Sequence, residues 1–343
     1  MSVHDCPARF GKQMARLPPA VVEEFIPGAN GAETLSDEEV LAICENYSDD
    51  DINRAALPYN CPKLSHYNLF VDATDPRSGF NEGGLLYDLT TPLFSDYASK
   101  YRVVFLPQGE PAVWNEGGKS MPNATLNFPV GTVIAKTFSF KDGADENIVE
   151  TRLLIHRDAG EGESLWEGMA YKWETDAEGN RTDAVLAVSG GKTTATWNYP
   201  DPDPAVDKTY VGSTSEYVIP HPNQCGNCHN NEDLEAGDAP IGPKVRLMNR
   251  PMDYDGDGVQ EANQLQRWVD LGMLTGAPDL SVDSEIIATG AQRLPRFDVE
   301  GDRFIVPGGQ ENHPAASAEH NTEQRARAWL ETNCAHCHNN KGL

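Results

Sequence analysis

Residues 131–157 read GTVIAKTFSFKDGADENIVETRLLIHR. Two runs rich in Val, Ile, Thr and Phe flank a short Asp/Gly-rich stretch. β-Branched and aromatic side chains suit a pleated, packed surface, and Gly, Asp and Asn supply the turn. The same texture recurs at YRVVFLP (101–107), GMAYKWET (168–175), DAVLAVS (183–189), KTTATWNY (192–199) and SEYVIP (215–220). Short strands at this spacing predict an antiparallel sandwich or barrel-like domain over 67–220. Trp114, Trp166, Trp173 and Trp197 all fall in this half. They read as core or cross-strand packing, the alternative being a tryptophan that flanks a cofactor.

Residues 1–66 read as an N-terminal extension. Within TLSDEEVLAICENYSDDDINRAAL (34–57), Ser36 followed by Glu39 predicts a capping box at the start of a short helix. After Pro220 the β-texture fades. EANQLQRWVDLGML (261–274) and SAEHNTEQRARAWLETN (317–333) carry apolar residues at helical spacing, including Leu265 and Trp268 in the first and Ala328 and Leu330 in the second. The expected fold class is therefore α+β: a β-rich domain, then mainly helical regions at 221–290 and 291–343. The stretch 275–316 between the two helices is a Pro-, Gly- and Asp-rich spacer.

These helical regions hold two copies of one motif, NQCGNCHNN (223–231) and TNCAHCHNN (332–340). Two thiols three residues apart share one face of a helical turn, and the following His projects beneath them. Cys-x-x-Cys-His in this arrangement predicts covalent c-type haem attachment, with the His as axial ligand. Cys225, Cys228 and His229 form the first candidate site, and Cys334, Cys337 and His338 the second. A shared zinc site would need pairs ~15–20 residues apart, and here 105 residues lie between Cys228 and Cys334. A thioredoxin-like dithiol would not call for His after both pairs.

Candidate sulfur ligands for the first iron are Met248, Met252 and Met273, with Met252 favoured and His221 as the nitrogen alternative; ordinary packing is the competing role for each methionine. For the second iron, His313 and His320 are upstream candidates. Only Asn339 to Leu343 follow His338. The expectation is a second site cut short, its remaining wall otherwise coming from upstream residues or another subunit.

DYDGDGVQEANQ begins at Asp253. Asp253, Asp255 and Asp257 match positions 1, 3 and 5 of a calcium loop, and Glu261 falls at position 9. Gln264 stands at position 12, where such loops carry a bidentate Glu. The alternatives are a calcium site and an acidic surface turn.

Cys6, Cys44 and Cys61 make an odd set outside the haem motifs. One disulfide with one cysteine left over is the simplest arrangement, and Cys44 with Cys61 would close a short loop. The chain carries 27 basic against 53 acidic residues, a formal net charge of -26. That excludes phosphate-driven nucleic-acid binding and favours basic partners, or simply keeps the surface soluble. No stretch approaches the ~20 apolar residues of a membrane-spanning helix, and no signal peptide is visible. Covalent c-haem assembly nonetheless implies a periplasmic, cell-surface or secreted location.

YDLTTPLFSDYASKYRVVFLP (87–107), FPVGTVIAKTFSF (128–140), ETRLLIH (150–156), YVIPHPNQCGNCH (217–229), PIGPKVRLMNR (240–250), NQLQRWVDLGML (263–274) and RAWLETNCAHCHN (327–339) together resemble a bacterial family of poorly characterised dihaem c-type cytochromes. The resemblance covers about residues 64–343. It implies a β-rich region before the first haem and a class I-like cytochrome domain around the second. Family chains continue past the second motif into a Met-Met-Pro-type segment. The Gly242-Pro243 pair resembles the Gly-Pro segment of class I cytochromes, implying that the Pro243 carbonyl orients His229 through its Nδ1–H. A parallel β-helix protein is implied as a partner.

The expected function is single-electron transfer between redox partners through two covalent haems. The alternative is a dihaem enzyme, a peroxidase or substrate-oxidising oxidoreductase with one open iron site. A third possibility is a binding module whose β domain docks a partner.

Overall fold

The computed structural model describes residues 35–48, 51–115, 125–201, 206–225, 229, 240–254, 261–281, 293–296, 321–335 and 338. Cys6 lies outside them. The chain opens with α1 (Asp37–Cys44), whose N-terminus has the anticipated capping box: the Ser36 hydroxyl accepts from the Glu39 amide, and Glu39 reaches back to the Ser36 amide. Ten strands follow: β1 (Gly84–Leu86), β2 (Ser99–Phe105), β3 (Ala112–Asn115), β4 (Thr125–Asn127), β5 (Val133–Asp142), β6 (Asp145–Gly160), β7 (Glu163–Thr175), β8 (Arg181–Leu186), β9 (Gly191–Pro200) and β10 (Thr209–Ile219). Beyond them come α2 (Val245–Met248), α3 (Gln264–Asp270), β11 (Leu274–Thr275) and α4 (Asn321–Asn333).

An eight-stranded sheet runs β1-β2-β5-β6-β7-β8, with β9 touching β5 and pairing β10. Its strand pairs are antiparallel apart from the short β5–β9 contact. A three-stranded sheet, β11-β3-β4, stands apart from it. The expected antiparallel β-rich domain is present.

The large sheet is covered on both faces, so β5 is buried nearly throughout rather than at alternate positions. On one face, Val103, Ala135, Leu153 and Met169 lie in register across β2, β5, β6 and β7. They share a core with Val40, Cys44, Leu57, Cys61 and Tyr67 of the N-terminal segment. Arg157 fastens that segment: its guanidinium donates to the carbonyls of Leu57 and Tyr59 (2.7 and 2.9 Å) and pairs with Glu167. On the other face, Val104, Ile134 and Leu154 align. They pack with Trp114 and Leu126 of the small sheet and with Val245, Met248, Leu265, Trp268 and Ala328 of α2, α3 and α4. The N-terminal and helical segments are thus layers on one sheet.

Cys44 and Cys61 form a disulfide across 17 residues of sequence. Closing a loop of that size restricts the unfolded chain, a contribution of about 3 kcal/mol. The Cys44→Ala/Cys61→Ala double variant is expected to lose about that much in urea unfolding; an unchanged midpoint would contradict the loop-closure account.

One helix differs from the sequence expectation. The apolar run 261–274 forms helix only over Gln264–Asp270, and Leu274 and Thr275 pair in parallel with Ala112 and Val113. Helix α4 spans Asn321–Asn333, and 317–320 lie outside the described residues. No helix among the described residues is long and apolar enough to cross a membrane.

Candidate haem-attachment sites

The first motif hangs from the end of β10. A 3-10 turn, Pro222–Gln224, follows directly and ends at Cys225. Gly190, at φ +64°, lies beneath this connection: a Cβ there would meet the His221 amide nitrogen at 2.7 Å and the Ile219 carbonyl oxygen at 2.8 Å. The absence of a side chain at 190 therefore lets the backbone leading to the motif sit close against the sheet. Cys225 is half-buried, and the His229 amide donates to the Cys225 carbonyl at 3.0 Å. That is one α-helical turn from cysteine to histidine. Cys228 lies outside the described residues.

The second motif repeats this local geometry. Helix α4 runs into the half-buried Cys334, and the His338 amide donates to the Cys334 carbonyl at 2.8 Å. Cys337 lies outside the described residues, as do His313 and His320. A cleft of about 830 Å³ opens here, lined by Arg246, Leu294, Arg327, Leu330, Glu331, Cys334, Ala335 and His338. That is within the ~300–1,000 Å³ typical of small-molecule and cofactor sites. Leu330 is half exposed on this wall, which leaves apolar surface beside the thiol and the imidazole. Upstream residues build the opposite side. Arg246 pairs with Glu331 at 3.0 Å, and the Leu294 amide donates to the Arg246 carbonyl. Burial works against the charge on Arg246, and Glu331 offsets it. The Phe94 amide donates to the Asn333 side chain at 2.8 Å, tying α4 to the loop after β1. Arg246 and Leu294, upstream of the motif, thus supply wall at the second site, and most of the chain that would surround the first, 226–228 and 230–239, lies outside the described residues.

The ligand candidates separate by packing. Met248 is fully buried in the core shared by the sheet and the helices, and Met273 packs against that core. Met252 is buried but belongs to none of the three hydrophobic clusters. His221 caps the 3-10 turn, its Nδ1 accepting from the Asn223 amide at 3.1 Å. A neutral imidazole that accepts at Nδ1 carries its proton on Nε2, so His221 in this role has no free Nε2 lone pair for a metal. Pro243 is buried at the approach to α2, where the Lys244 amide donates to the Gly242 carbonyl.

The acidic loop after Asp253 is closed at its base. Pro251 and Asn263 form an antiparallel bridge, and the Glu261 amide donates to the Met252 carbonyl at 3.0 Å. Asp255 and Asp257 lie outside the described residues, and Glu261 is exposed. Gln264, at position 12 of the loop spacing, points elsewhere: fully buried, it accepts from the Asp88 amide at 3.0 Å and donates to the Asp88 carbonyl at 2.7 Å. It serves the sheet rather than a cation.

Among the described residues one further group is of metal-ligand type: Cys44, Cys61 and His66, all buried. Its two sulfurs are joined as the disulfide, which leaves a single imidazole, and burial pulls the pKa of His66 down.

A basic cluster on the helix-bearing face of the sheet escaped the sequence reading. Arg102, Lys136 and Arg152 lie in register across β2, β5 and β6, and Lys100 lies opposite Phe138 in the next row. Arg152 is within electrostatic reach of Cys225. The available signal was Lys or Arg at alternating strand positions, as in Lys100 and Arg102. Comparison with protein-family models, curated proteins and solved structures finds no match for this chain.

Proposed function

We propose that this chain is an extracytoplasmic dihaem c-type cytochrome that passes single electrons between redox partners. The observation that carries the proposal is the paired motif: two Cys-x-x-Cys-His strings, each closed by the same backbone bond from His to the first Cys. Cys225 with Cys228, and Cys334 with Cys337, would hold the haems through thioether bonds, and His229 and His338 would be the axial ligands. A haem so held supplies a one-electron iron couple whose potential depends on its ligands and burial. The half-exposed Leu330 and the cleft dimensions suit an apolar macrocycle beside His338. Met252, buried yet outside the packed clusters, is the proposed sulfur ligand at the first site, and the Pro243 carbonyl the acceptor that orients His229. Calcium at Asp253, Asp255, Asp257 and Glu261 is proposed as a brace for the loop that carries Met252, without Gln264 as a ligand.

The Cys44–Cys61 disulfide supports an oxidising compartment, in line with a periplasmic, surface or secreted location. The net charge of -26 favours basic redox partners; a parallel β-helix partner rests on the family resemblance alone.

The Cys225→Ser/Cys228→Ser double variant is expected to retain one haem, about half the covalently bound haem absorbance after acid–organic extraction. Undiminished absorbance would overturn the assignment of the first motif. The exposed His338 on an open cleft favours a second reading, an enzyme with one accessible iron. Carbon monoxide binding by the reduced protein supports that reading, and its absence supports the relay.

A further inference from the structure

We propose that Lys100, Lys136 and Arg152 form a binding site for a pair of carboxylates on the sheet face beside Cys225, occupied by the two propionates of the haem attached there. The identity of the occupant rests on the proposed function; the basic site does not.

The register builds the cluster. Lys136 lies between Arg102 and Arg152 across three strands, and Lys100 and Phe138 face each other two residues along. Residues two apart in a strand share a face, so all of these groups rise from the same side. The Lys100 Nζ, the Lys136 Nζ and the Arg152 Cζ stand 5.8, 5.2 and 4.5 Å from the centre of the Phe138 ring. Three cations thus crowd one aromatic ring, in a chain with almost twice as many acidic as basic residues.

Of the carboxylates whose charge reaches this cluster, Asp96 acts on Lys100 from beyond ion-pair distance, and Glu150 and Asp88 are already engaged. Glu150 is fully buried, accepts two hydrogen bonds from Arg152 (2.9 and 2.6 Å) and a third from the Tyr217 hydroxyl at 2.7 Å. Asp88 takes Arg102 at 2.7 Å and Arg250 at 3.0 Å. Among the described residues, no carboxylate lies within ion-pair distance of Lys100 or Lys136. Among the described residues, the Lys100 ammonium donates a hydrogen bond only to the Ala98 carbonyl, at 2.9 Å. Burial, reinforced by Arg102 and Arg152, pulls both lysines down to about 7. Two anionic oxygens in this site would restore the ammonium charge and relieve the mutual repulsion.

Position identifies the occupant. The strand β10 supplies Tyr217 to this cluster and, after one 3-10 turn, Cys225. Arg152 lies within electrostatic reach of Cys225. A haem joined at that cysteine brings two carboxylates on a flat apolar body, which matches cations arranged around a phenyl ring. A free dicarboxylate offers the same chemistry from solution.

The test uses the full-length protein and the Lys100→Gln/Lys136→Gln variant, with Lys100→Arg/Lys136→Arg as the charge-retaining control. Intact mass counts haems in each, and thermal melting verifies that each is folded. Positive charge beside a haem favours the reduced state, so its removal is expected to shift the reduction equilibrium of one haem toward the oxidised form by roughly tenfold and the other by less than about twofold. The Arg control is expected to restore the native value. Unchanged potentials in a folded, fully loaded Gln variant overturn the propionate assignment. If succinate then raises the melting temperature of the native protein but not that of the Gln variant, the site takes a free dicarboxylate. If succinate also does nothing, the carboxylate site itself is overturned. Should no covalent haem be found, the proposed function fails separately, and the succinate arm alone decides the basic site.

Discussion

Trp268→Ala is expected to lower the unfolding free energy by about 3–5 kcal/mol, the range for removing a buried aromatic from a close-packed core. Trp268 is fully buried on α3 and meets the Tyr87 ring edge-on, centroids 6.3 Å apart. It belongs to the cluster in which Val104 and Ile134 of the large sheet pack against Val245, Met248 and Leu265. Its loss therefore opens a cavity where the helical layer meets the sheet. Among the described residues the indole N–H has no hydrogen-bond partner, so its removal without loss of the ring carries little penalty. Trp268→Phe should accordingly recover most of the stability. Urea unfolding measures both variants. A loss of less than about 1 kcal/mol in Trp268→Ala, or a Phe variant as weak as the Ala variant, would contradict this packing role.

Glu150→Gln is expected to cost about 3 kcal/mol, the lower end for breaking a buried ion pair by neutralising one partner. Glu150 is fully buried, whereas the Arg152 side chain is 33% exposed, and that partial hydration holds the cost down. The substitution leaves Arg152 facing Lys100 and Lys136 across the Phe138 ring with no carboxylate of its own. It also alters the acceptor of the Tyr217 hydroxyl. Adding Arg152→Met should return part of the loss, because the unpaired charge then disappears. Two additive penalties, measured by the same unfolding experiment, would mean that the pair is not coupled.

Long strands declared themselves in the sequence because each carries its own composition. GTVIAKTFSF supplies most of β5, from Val133 onward, and IVETRLLIHR lies within β6, both in the eight-stranded sheet. The capping box at Ser36 and Glu39 was equally local, since it depends on two residues three apart. The short elements were not legible. Leu274 read as the end of an amphipathic helix and Thr275 as the start of a spacer, yet they pair with Ala112 and Val113. A two-residue strand exists only because a distant edge satisfies its backbone. Gln264 shows the same limit at the site: the loop spacing placed it where a bidentate Glu would stand, and only the fold shows its amide bonded to Asp88. The basic cluster was hidden for a related reason. Lys100, Lys136 and Arg152 are scattered along the sequence and meet only once the register of β2, β5 and β6 is set. The two Cys-x-x-Cys-His strings were readable because covalent haem attachment needs both thiols and the imidazole within five consecutive residues. A distal ligand is not local to such a string, and of the candidates Met252 stands out only through its burial away from the packed clusters.

The central proposal is that this one chain carries two covalent haems, and the intact mass of the protein after maturation in a cell equipped for c-type haem attachment tests it most directly. The expected mass is that of the polypeptide plus two haems, persisting after denaturation, and falling by one haem in the Cys225→Ser/Cys228→Ser variant. A polypeptide mass with no haem added, from cells that load another c-type cytochrome in parallel, would contradict it.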